Sequence, residues 1–209
     1  MYIYASKVKE AHRAMTSKKI DTRKLVYLAV LTALVIVLQL LCSFIKTGVF
    51  QLTLALVPIA IGAILCGPAG GAWLGFVFGL VVLLDGDAAP FMAVSIPATI
   101  IVVLLKGALC GFAAGLIYKA ISKAHPVIAS YAAAIICPIV NTGVFVLGCY
   151  AFFFNTLTSW AGANSYDNTT KYIFIGMIGI NFFLEMLVSV ALSPVVARIV
   201  YLVRNKKKS

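Results

Sequence analysis

The sequence predicts an all-α integral membrane protein: a six-transmembrane-helix bundle with both termini in the cytoplasm. Hydrophobic side chains make up 63% of the 209 residues and charged ones only 11%, whereas soluble domains carry about one-quarter charged residues to cover their outside. Mean hydropathy is +1.07. Glycine, proline and charge punctuate the chain into six apolar runs. The positive residues gather at the chain ends and in one short connector.

A helix crossing about 30 Å of hydrocarbon needs about 20 mostly apolar residues. On that rule the spans are Lys24–Ile45, Gln51–Cys66, Pro68–Leu84, Ser95–Lys119, Val127–Phe154 and Tyr172–Val203. The first run is too long for the apolar region of a cleaved signal peptide. Cys42 follows Leu40-Leu41, without the small residue that lipoprotein processing requires. The second and third spans are short and meet at Gly67-Pro68, so either one tilted, kinked or partly re-entrant is compatible with the sequence. The membrane domain is therefore 24–203, flanked by a basic cytoplasmic segment at 1–23 and a basic tail at 204–209.

An even number of spans puts both termini on one side, and the positive-inside rule selects the side. With the termini inside, fourteen Lys and Arg lie in the cytoplasm, Lys46 and Lys171 lie outside, and Lys106 is left within the membrane. The outward loops are then Lys46–Phe50, Asp85–Val94 and the polar stretch Asn155–Lys171, with Trp160 as a lid or interfacial aromatic. The net charge of +11 belongs to flanks held against anionic lipid, so no nucleic acid is expected as a partner. The five cysteines fall in or beside apolar stretches without C-x-x-C spacing and read as small packing residues. His12 and His125 lie in polar flanks, and no metal site is expected.

Small residues recur every fourth position in three runs: Ala29 and Ala33; Gly71, Gly75 and Gly79; and Gly107, Gly111 and Gly115. Such a stripe lets another backbone approach closely, which drives helix association in lipid. The glycines suit internal packing, whereas the alanine pair suits either that or a partner subunit.

Polar groups at membrane depth are costly and mark functional candidates. Lys106 stands midway along the fourth span, Asn141 and Thr142 interrupt the fifth, and Asn181 and Glu185 share one face of the sixth, one turn apart. With Asp85 and Asp87 in the third loop, they outline a ligand cavity. The competing reading is structural: Lys106 snorkels or neutralises Glu185, and Asn141 bonds a neighbouring helix. No phosphate loop, zinc-protease motif or nucleophile elbow occurs. A bundle with a polar cavity and no engine reads as a binding subunit rather than an enzyme.

The run Leu25 to Leu34, the stretch Gly48 to Pro58, the run Lys106 to Gly115 closing at Tyr118-Lys119, and Pro138-Ile139-Val140-Asn141-Thr142 together resemble the substrate-binding S component of energy-coupling factor (ECF) vitamin transporters. The resemblance implies a six-helix protein that captures a vitamin at its external face with no bound cofactor. It also implies a transmembrane coupling protein (T component) and two ABC ATPases as partners, which consume the ATP. Ala29 and Ala33 match the family's contact with the coupling protein. The implied substrate residues are Lys106, Asn141, Asn181 and Glu185, with Asp85, Asp87 and Trp160 as gate residues. Pantothenate is favoured among substrates, with riboflavin and folate as alternatives. The implied location is the bacterial plasma membrane. The runner-up is an autonomous secondary transporter or channel using Lys106 and Glu185 as an ion or proton relay.

Overall fold

The computed structural model describes residues 22–44 and 53–205. The loop expected at 46–50, residues 1–21 and residues 206–209 lie outside the described residues. Among the described residues all regular structure is helical: α1 (Thr22–Phe44), α2 (Leu56–Cys66), α3 (Pro68–Leu84), α4 (Ala89–Met92), α5 (Ile96–Ile121), α6 (Pro126–Phe152), α7 (Phe154–Ala163), α8 (Thr169–Lys171), a π-helix over Tyr172–Gly179, and α9 (Ile180–Asn205).

Proline sits in the first turn of α3, α4, α5 and α6, where its missing N–H removes no helical bond and its fixed φ suits helix entry. Gly67, at φ 87°, turns the chain from α2 into α3, a conformation open to glycine without a Cβ penalty.

Four helical stretches are long and apolar enough to cross a membrane: Thr22–Ser43, Ile96–Ile121, Pro126–Phe152 and Thr169–Arg198. Two shorter apolar helices, α2 and α3, accompany them. The second expected span, Gln51–Cys66, takes the short form that the sequence allowed. Its helix starts only at Leu56 and has 11 residues, roughly 16 Å at the α-helical rise. It is buried on most of its circumference, including Leu56, Ile59, Ala60 and Ala63, and packs in the larger core cluster.

The glycine stripes meet each other. A Cβ on Gly71 would run into the carbonyl of Gly111, and one on Gly75 into that of Gly107. The reverse substitutions meet the same partners, and Gly79 lies against Val103. The pairing numbers fall on one helix as they rise on the other, so α3 and α5 cross antiparallel at backbone contact.

The stretch expected as a polar loop at 155–171 is mostly helical, which is a correction. Leu157 and Ala161, one turn apart, are the buried face of α7, and Leu157 joins a cluster with Ala98, Val102, Cys149, Phe153, Ile173 and Ile178, while Asn155, Thr158 and Ser159 are exposed. Asn168 starts α8 by accepting a bond from the Thr170 amide at 2.8 Å. The larger core cluster joins α1, α2, α3, α5, α6 and Val196 of α9. The five cysteines form no disulfide among the described residues and four are buried, as small packing residues.

Candidate ligand cavity

A cavity of about 510 Å³ opens at the end of the bundle where α1, α3 and α6 finish and α2, α5 and α9 begin. That volume suits a small organic molecule. Of the seven residues expected at a ligand site, six line it: Lys106, Asn141, Asn181, Glu185, Asp87 and Trp160. The seventh, Asp85, stands behind the wall and bonds to it. Thr142 also lines the space.

Asp85 and Asp87 are oriented by the turn between them. Gly86 takes φ 84°, and the Asp87 amide donates to Asp85 Oδ1 at 3.0 Å. Both carboxylates then face α1. Gln39 Nε2 donates to Asp85 Oδ2 at 3.0 Å and to Asp87 Oδ2 at 2.9 Å. Ser43 Oγ, one turn further on, reaches the same two oxygens at 2.6 and 3.0 Å. The third loop is thus fastened to the first helix beside the cavity. Hydrogen bonds to charged groups are the stronger kind, each contributing about 1.5–3 kcal/mol.

Lys106 and Glu185 both line the space without a direct ion pair, near enough for each charge to act on the other. The Lys106 ammonium instead sits 5.0 Å from the centroid of the Phe145 ring. A lysine at a helix centre costs about 3 kcal/mol on insertion scales, and a desolvated cation–π contact returns about 2 kcal/mol. The aromatic ring therefore offsets most of the cost. Glu185 is buried and meets Thr53 within hydrogen-bond reach at the cavity wall. Asn141 is buried and its Oδ1 has no hydrogen-bond partner. Asn181 and Glu185 line the cavity together, as their spacing requires.

Aromatic side chains form another part of the wall. Phe91 of α4 is packed edge-on against Phe145, Phe153 and Trp160, with centroids 5.5, 5.1 and 5.6 Å away. Phe91 and Trp160 bring α4 and α7 together beside the cavity. Trp160→Ala should loosen this cluster; stopped-flow release of bound ligand is expected to accelerate about tenfold, given about 0.5–1.5 kcal/mol per aromatic pair. An unchanged release rate would show that the cluster does not retain ligand.

Gln39, Thr53, Thr99, Phe91, Phe145 and Phe153 line the site without having been expected there. Gln39 interrupts an apolar run and was detectable by the rule that singled out Lys106. The phenylalanines carry no such mark in so apolar a chain.

Residues 23–197 match the family described as ECF transporter, substrate-specific component. The chain belongs to this family. No match arises among curated proteins or solved structures. As an ECF substrate-specific component it is a multi-pass membrane protein that binds substrate for transport and is not an enzyme. Membership does not favour an autonomous secondary transporter with Lys106 and Glu185 as a relay.

Proposed function

We propose that this ECF substrate-specific component captures a vitamin or related micronutrient at the outer face of a bacterial plasma membrane and passes it inward with the help of other chains. A T component and two ABC ATPases are the proposed partners, and ATP is consumed there. No cofactor is assigned to this chain. Six membrane crossings with both termini inside fit the distribution of fourteen cationic residues against two. Ala29 and Ala33 are the proposed contact with the T component.

The observation that carries the substrate site is the convergence of Lys106, Asn141, Asn181 and Glu185 on one cavity, from three helices. Asp87, Trp160 and, through its bonds to Gln39 and Ser43, Asp85 are the proposed gate. An ammonium at membrane depth suits a carboxylate, so pantothenate leads riboflavin and folate as the proposed substrate.

The test is twofold. Tagged protein should bring down a membrane coupling protein and ATPases, and calorimetry on the purified chain should detect vitamin binding. Absence of both would defeat the proposal. Lys106→Met is expected to weaken pantothenate binding about 10–100-fold, the range of a lost charge-assisted hydrogen bond. Binding within threefold of the parent would place the carboxylate elsewhere.

A further inference from the structure

On two of the cavity's lining side chains, Gln39 and Asn141, a buried oxygen has no hydrogen-bond partner. Gln39 is only 2% exposed, and its amide orientation is fixed chemically: Nε2 faces the carboxylate oxygens of Asp85 and Asp87, which in their ionised form only accept. Its Oε1, on a residue that lines the cavity, therefore remains an acceptor, buried and without a partner. Asn141 Oδ1 is a second such acceptor, on a side chain 6% exposed. Glu185 supplies a third accepting group from α9. The cation among the lining residues is Lys106, held over the Phe145 ring.

We infer that the cavity takes a small molecule with one anionic end, received by Lys106, and a set of O–H or N–H donors, read by Gln39, Asn141 and Glu185. This rests on the proposed role in substrate capture and deepens it by giving the substrate class. An apolar group set against Gln39 Oε1 and Asn141 Oδ1 would strand two buried acceptors. A second anionic group would meet Glu185. Pantothenate, with one carboxylate and two hydroxyls, fits this order of groups. Folate, with two carboxylates, does not. Gln39 and Asn141 thereby become specificity-determining residues, since a site built to bond a hydroxyl or amine strongly rejects an analogue lacking it.

The experiment uses the full chain in lipid nanodiscs, titrated calorimetrically with pantothenate, riboflavin and folate, and with the analogue of whichever hydroxylated vitamin binds in which its hydroxyls are replaced by hydrogen. The wild-type chain is expected to bind that analogue at least about 100-fold more weakly than the parent. In Asn141→Leu, which adds no room, the gap is expected to shrink to about tenfold because the stranded acceptor is gone. A gap under threefold in the wild-type chain overturns the inference whether or not the variant folds. So does a gap that Asn141→Leu leaves unchanged. Binding of folate alone, or of riboflavin alone, which has no anionic end, overturns the inference but leaves the capture role standing. If none of the three vitamins binds, the vitamin assignment and the inference fall together.

Discussion

Gly107→Leu is expected to prevent the protein from reaching a monodisperse folded state in detergent. Gly107 and Gly75 oppose each other so closely that a Cβ on either would overlap the carbonyl of the other, and Gly111 and Gly71 repeat the arrangement one turn away. The obstructing atoms are backbone, which cannot swing aside as a side-chain tip can. Any side chain at 107 must therefore drive α3 and α5 apart along their whole crossing. Overpacking of side chains alone costs about 1–3 kcal/mol, and displacement of two backbones should exceed that. The damage would reach the ligand cavity, because Phe78 and Val82 of α3 and Val103 and Lys106 of α5 line it on either side of the same crossing. Gly143→Ala is the matched control: a Cβ there meets nothing within 4 Å, so its effect should stay within about 0.5 kcal/mol. Size-exclusion profiles and thermal melts of the two variants check the prediction. A Gly107→Leu protein with parental melting behaviour would contradict the tight crossing.

The glycine crossing was legible in the sequence because its cause is local: small residues at four-residue spacing put one flat face on a helix. The same holds for Lys106, Asn141, Asn181 and Glu185, which stand out because polar groups at membrane depth have few explanations. What the sequence could not supply was which of these groups touch. Lys106 and Glu185 have opposite charge and lie on different helices, and only their placement shows that Lys106 turns to Phe145. Phe91 was invisible for another reason. Its role comes from meeting three rings on α6, α7 and the residue between them, and aromatic residues are unremarkable in an apolar chain. The 155–171 stretch was misread because its many Asn, Ser and Thr side chains masked the pair Leu157 and Ala161, which is enough to seat a helix of 10 residues. The eight π-helical residues before α9 leave no periodic trace in so uniformly apolar a segment.

Ala33→Trp is expected to abolish ATP-driven uptake in cells or proteoliposomes holding the complete transporter, while leaving substrate affinity within threefold. The two faces of α1 have separate tasks on the proposed reading. Leu31, Val35, Gln39 and Cys42 are buried and face the bundle, with Gln39 reaching the cavity. Ala29 and Ala33 are exposed, and with Leu25, Val37 and Leu41 they form an outer stripe at four-residue spacing. Exposure alone means little in lipid, where an apolar side chain has no reason to hide. The small side chains at 29 and 33 are what allow another helix to approach closely enough for van der Waals contact to hold it. An indole at 33 would fill that groove without touching the inner face, so binding should survive and coupling should not. Leu147→Trp tests whether bulk alone is harmful, since Leu147 is 70% exposed on α6, away from the alanine stripe; its uptake should match the parent. Parental uptake by Ala33→Trp would remove this stripe as the coupling surface, whereas loss of binding in the same variant would mean that the two faces of α1 are not independent.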